Sequence, residues 1–147
     1  MTARARKAPP SHSLGARADE LRDAAFDALD RAYAPYSSFR VGAAILTADG
    51  TIGVGCNVEN ASYPASMCAE RVAVGALVAQ GQRVFELLVI ATEADAPTPP
   101  CGICRQVLAE FAPALPIISV IRSGEAARWS LAELLPAPFT PDSLHHS

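Results

Sequence analysis

The chain has 147 residues, with 12 Lys and Arg against 15 Asp and Glu, for a formal net charge of −3 at pH 7. That length predicts one domain able to bury a core without disulfide support, and the mildly acidic balance argues against a nucleic-acid partner, which calls for a basic face. No apolar run reaches 18 residues, so no membrane partner or span is expected, while a hydrophobic fraction of 50% suggests apolar surface shared between subunits.

Residues 1–15 are basic and proline-bearing, lack periodicity, and read as a disordered tail. Arg4, Arg6 and Lys7 are not followed by an apolar stretch, so no secretory signal is expected and a cytoplasmic location is the default. From Ala16 to about Tyr33, Leu21, Ala24, Ala25, Leu29 and Ala32 recur at helical spacing and predict an amphipathic helix on one face of a sheet. Ala34-Pro35-Tyr36 ends it. Val41–Thr47 and Thr51–Val58 predict two strands, joined in a hairpin by Ala48-Asp49-Gly50.

The loop Glu59–Ser66 leads to a helix predicted over Ala69–Gln80. It is apolar around most of its girth, hence deeply buried, and Gly81 ends it. Leu87–Thr92 reads as a short strand. Proline-rich Ala96–Pro100 then precedes a helix from Cys101 to about Phe111, and Ile117–Ile121 is another apolar strand. Trp129 marks a last short strand or turn, Leu131–Leu135 a helical turn, and residues 141–147 a tail. Two strand–helix–strand units after a helix and a hairpin predict an α/β fold, a three-layer α/β/α sandwich on a mixed sheet, within a single domain over 16–140.

The chemistry concentrates in Cys68-Ala69-Glu70-Arg71 and Pro100-Cys101-Gly102-Ile103-Cys104-Arg105. Cys101 and Cys104 have the spacing of a C-x-x-C zinc clip. Cys101 and Cys68 both fall at predicted helix heads, where the partial positive charge favours thiolate, the form zinc binds. Cys68, Cys101 and Cys104 are therefore the candidate zinc ligands. Three protein ligands leave a tetrahedral ion one position for water, as in catalytic sites. Glu70, at a first helical turn, is the candidate acid/base. Three thiolates over-supply negative charge, which weakens zinc as a Lewis acid, and Arg71 and Arg105 are placed to withdraw some of it.

Cys-x-Glu followed by Pro-Cys-x-x-Cys is recognised as the signature of the zinc nucleoside and nucleobase deaminases, in a three-cysteine form. Tyr36-Ser37-Ser38-Phe39-Arg40-Val41-Gly42-Ala43-Ala44, Asn57-Val58-Glu59-Asn60-Ala61-Ser62-Tyr63 and Cys101-Gly102-Ile103-Cys104-Arg105-Gln106 narrow the match. Together they resemble the small cytidine deaminases, from Leu21 to Phe139. The resemblance implies a sheet of about five strands, one zinc per subunit, and a homotetramer with active sites near subunit interfaces. It also implies hydrolysis of cytidine and 2′-deoxycytidine to the uridine products and ammonia, a step of pyrimidine salvage.

Carried onto this sequence, the resemblance implies that Glu70 moves protons and that Arg71 hydrogen-bonds the ligand sulfurs, with Gln106 as a further supporting residue. It implies that Phe39 packs on the nucleoside, that Asn57 and Glu59 hold the ribose hydroxyls, and that Ala69 helps read the base. Tyr63 and Phe139 would reach a neighbouring subunit's pocket. A carboxylate at Glu59 suits a free 3′-hydroxyl and repels a phosphate there.

Three other readings stay open. Cys56 could complete a four-cysteine structural site, which would close the water position. A related enzyme could act on a cytosine nucleoside antibiotic such as blasticidin S. A non-catalytic zinc-stapled binding module would use the same thiols. His12, His145 and His146 lie in the tails and have no assigned role.

Overall fold

The computed structural model describes residues 15–144 and the backbone of Arg6 and Lys7. The remainder of the expected N-terminal tail, with His12, and residues 145–147, with His145 and His146, lie outside the described residues. The helices are α1 (Ala16–Leu29), α2 (Ala69–Ala79), α3 (Gly102–Phe111) and α4 (Leu131–Leu134). The strands are β1 (Arg6–Lys7), β2 (Val41–Thr47), β3 (Ile52–Cys56), β4 (Phe85–Thr92), β5 (Pro116–Ile121) and β6 (Ala126–Ser130).

Strands β2 to β6 form the expected mixed sheet, in the order β6-β5-β4-β2-β3, with the two-residue β1 added beside β6. β2 and β3 make the antiparallel hairpin, and β4 and β5 are the parallel pair. Strand β4 is apolar without alternation because both its faces are covered. Leu88 and Ile90 join Ala43, Ile45 and Ile117 under α2 and α3. Val89 and Ala91 join Ala44, Ile118 and Val120 under α1, whose Leu21, Ala25 and Leu29 are fully buried. The result is the three-layer sandwich.

Two close approaches hold the layers together. A Cβ on Gly42 would overlap the Ala25 carbonyl and the Leu29 amide of α1. One on Gly55 would overlap the Ala69 carbonyl oxygen and the Ala73 amide nitrogen, in the first turns of α2. Only glycine permits backbone contact this tight.

Several boundaries differ from the sequence reading. α1 ends at Leu29, and the amides of Arg31 and Ala32 turn back to the carbonyls of Ala28 and Leu29. β3 ends at Cys56 because its partner β2 runs out: Gly42 opposes Cys56. Extended backbone continues beyond it, but Val58 pairs with Tyr33 on one side and Met67 on the other. Trp129 lies inside a full strand, β6, rather than at its start.

Candidate metal centre and catalytic cleft

Cys68 is the N-cap of α2 and Cys101 the N-cap of α3; neither side chain makes a capping hydrogen bond. Cys104 lies one turn into α3 and is fully buried. The three Sγ atoms fall within 4.8 Å of one another, and those of Cys68 and Cys101 are 3.7 Å apart. Two sulfurs each about 2.3 Å from one tetrahedral zinc stand about 3.8 Å apart, so the donor set fits that ion. Cys56 is not part of the cluster. Its thiol points to the Arg31 carbonyl, 3.7 Å away, and no four-cysteine site forms among the described residues.

The cluster is electrically uneven. Hydrogen bonding from the Cys104 thiol lowers Cys68 to about 5, with Arg71 and Cys101 acting in the same direction. Cys104 is pushed the other way, by that same hydrogen bond and then by burial and the Glu70 charge. Arg71 sits beside Cys68 with its Nη2 3.9 Å from the sulfur and 3.1 Å from the Ser66 carbonyl. Its Nε is buried with no partner among the described residues. The arginine thus has a donor to spare next to sulfur charge.

Glu70 occupies the first turn of α2 and is 5% exposed. Burial pushes its carboxyl up to about 7, and the neighbouring Cys68 adds to the shift. A group at that value both takes and gives a proton near neutrality.

A cleft of about 550 Å³ joins this centre to a second cluster. Cys68, Ala69, Glu70 and Cys101 line it beside the thiol cluster, and Phe39, Asn57, Glu59 and Tyr63 line it around the 36–41 segment. In the extended segment beyond β3, Asn57 and Glu59 both turn toward residues 37–41. Asn57 Oδ1 accepts the Val41 amide at 2.8 Å, and Nδ2 donates to the Phe39 carbonyl at 2.7 Å. Glu59 accepts from Ser37. Tyr63 is 71% exposed and meets Tyr36 edge-on, with ring centroids 5.8 Å apart.

Other candidates from the sequence lie apart from the cleft. Gln106 Nε2 donates to the carbonyl of Phe139 at 2.8 Å, and its Oε1 accepts the Phe139 amide at 3.3 Å, so its amide engages the C-terminal segment rather than sulfur. Arg105 likewise bonds carbonyls, of Pro100 and Leu134. Phe139 is exposed and does not line the cleft of its own chain. Conversely, Tyr36, Ser37 and Thr98 line it without having been assigned a role from sequence. Tyr36 and Ser37 stand in the Tyr36–Ala44 motif, but their contacts are long-range and carry no spacing signal.

The chain matches the family model described as the cytidine and deoxycytidylate deaminase zinc-binding region over residues 16–119. It is 42% identical over 121 residues to a cytidine deaminase of Sporosarcina psychrophila, covering 82% of this chain and 89% of that one. The crystal structure of cytidine deaminase from Burkholderia pseudomallei superposes with a TM-score of 0.80 at 44% identity, covering 82% of this chain and 98% of that chain. A blasticidin-S deaminase of Bacillus cereus is 31% identical over 108 residues, 68% of this chain and 76% of that protein. With its cysteines gathered as this family requires, the chain belongs to the zinc-binding cytidine and deoxycytidylate deaminases.

Proposed function

We propose that this protein is a cytidine deaminase, hydrolysing cytidine and 2′-deoxycytidine to uridine or 2′-deoxyuridine and ammonia. One observation carries the reading: of three sulfurs spaced for one ion, two line a cleft together with the buried Glu70 carboxyl and with Phe39, Asn57 and Glu59. Cys68, Cys101 and Cys104 would hold one zinc per subunit. When bound, zinc supplies the Lewis acidity that makes water a nucleophile near pH 7.

Glu70 takes a proton from the attacking water and delivers it to ring nitrogen N3. It then carries a second proton to the amine that leaves C4 as ammonia, while the ring keeps the water oxygen. Its burial excludes competing solvent and holds its affinity for a proton in the range both transfers need. Arg71 offsets the surplus thiolate charge from beside Cys68. Phe39 packs on the nucleoside, Glu59 and Asn57 define the sugar recess, and Ala69 borders the base. Gln106 supports the site indirectly, by tying down the segment at Phe139.

Tyr33, Tyr36, Phe39, Tyr63 and Met67 are all exposed, and most of them border the cleft mouth. An apolar rim of that kind supports a homotetramer in which Tyr63 and Phe139 reach a neighbouring site. The reaction fits a role in pyrimidine salvage, and a cytoplasmic location is proposed with it. No helix among the described residues is long and apolar enough to cross a membrane, and no nucleic-acid partner is proposed.

Loss of ultraviolet absorbance by cytidine, with and without chelator, tests the reaction: turnover that chelator abolishes and zinc restores supports it, and an inert zinc-loaded protein sinks it. The Bacillus cereus relative favours blasticidin S as the second substrate to try, and the ratio of kcat/KM values on the two compounds decides between them.

A further inference from the structure

We propose that Ser37 is a positioning residue that presets Glu59 to recognise a free 3′-hydroxyl on the sugar. The proposal rests on the sugar-binding reading of Glu59 given above.

A glutamate at a strand end has three free torsions, and freezing them on ligand binding costs entropy. Glu59 is already held. The Ser37 amide, 22 residues earlier in the chain, donates to Oε1 at 3.1 Å and Oε2 at 3.2 Å. The Ser37 hydroxyl donates to Oε1 at 2.8 Å. The same hydroxyl oxygen accepts the Phe39 amide at 3.0 Å, and the Phe39 carbonyl accepts from Asn57. Ser37 therefore couples the carboxylate to Phe39, which also lines the cleft.

The chain accepts strain to make this arch. Ser38 has φ 57°, the left-handed region unusual for a residue with a side chain. That reversal places the Ser37 donors and the Phe39 ring on the cleft together, and the Ser38 amide closes the turn on the Ala34 carbonyl at 3.0 Å.

The chemistry then selects the ligand. An ionised carboxylate only accepts, at about four lone-pair sites. Ser37 supplies two hydrogens, the amide one shared between both oxygens, so acceptor capacity remains open for a further hydrogen. A sugar hydroxyl supplies it. A phosphate ester on that oxygen supplies none and adds negative charge.

The test uses the zinc-loaded enzyme and two competitive ligands, uridine and 3′-deoxyuridine, whose inhibition constants are read against cytidine turnover. Ser37→Ala should weaken uridine by about five-fold or more, as expected for a lost hydrogen bond to a charged group. The same variant should change 3′-deoxyuridine less than about two-fold and keep zinc content near wild type, with the loss on cytidine falling more in KM than in kcat. Ser37→Gly should repeat the pattern, so the outcome does not hinge on one variant folding, and Ser37→Thr should restore uridine binding. Glu59→Gln serves as the reference. If it separates the two ligands and Ser37→Ala weakens both equally, or neither, Ser37 has no such role. If Glu59→Gln fails to separate them, the sugar reading of Glu59 falls and takes this proposal with it.

Discussion

The two ends of the cleft are held in different ways. At the metal end, Cys104 and Glu70 are buried and fixed by backbone: two helix heads, one of them pressed against β3 at Gly55. At the sugar end, Phe39 and Tyr63 are 40% and 71% exposed, and position comes from side-chain hydrogen bonds between loops. Reacting atoms need placement to a fraction of an ångström, which a packed core provides. Recognition tolerates looser parts that a neighbouring surface can complete. Damage at the first end should therefore appear in kcat and metal content, and damage at the second in binding.

The largest effect expected is from Cys104→Ala. Removing the buried sulfur should leave the protein without stoichiometric zinc by atomic absorption and lower turnover by about 10³-fold or more. Glu70→Gln should keep zinc and still lose at least about 10²-fold in kcat; normal turnover there would end the proton-transfer scheme.

Gly55→Ala sharpens the contrast. Its new methyl must displace the backbone of the turn that follows Cys68, whereas the nearest atoms to a Gly53→Ala methyl belong to the Leu77 side chain, farther along α2. Overpacking should cost either variant about 1–3 kcal/mol, or about 3–10 °C in Tm. Only Gly55→Ala should also lower kcat per zinc-loaded molecule. Equal kcat in the two would mean that the close approach serves stability alone. The smallest effect is assigned to Cys56→Ala, which should retain zinc and activity within about two-fold, since Cys56 contacts the Arg31 carbonyl and not the cluster.

The metal end was legible in the sequence because its information is local. Spacing within Cys68-x-Glu70 and Cys101-x-x-Cys104, with prolines and small residues marking the helix starts, pointed to the three thiols that the fold gathers. The strands β2, β4 and β5 were legible for the same reason, as short β-branched runs. The sugar end was only partly legible. Asn57 and Glu59 could be named, but not the partner that orients the carboxylate, because Ser37 reaches it through tertiary proximity. Gln106 and Arg105 misled for a related reason. Adjacency to Cys104 suggested service to sulfur, yet long side chains on a helix travel several ångströms, and these two engage carbonyls about 30 residues onward. β6 was blurred because Ala126–Ser130 alternates weakly and carries Arg128 on an exposed side.

Cys68 and Cys101, 33 residues apart in sequence, meet across 3.7 Å. An ion held between them in the folded protein and released on unfolding would stabilise the fold by mass action, because a formed site does not exist in the unfolded chain. Folding and metal uptake are then one coupled equilibrium. Thermal resistance should climb with the logarithm of free metal concentration, so a cell's supply of the ion sets how long the folded protein lasts as well as how fast it works.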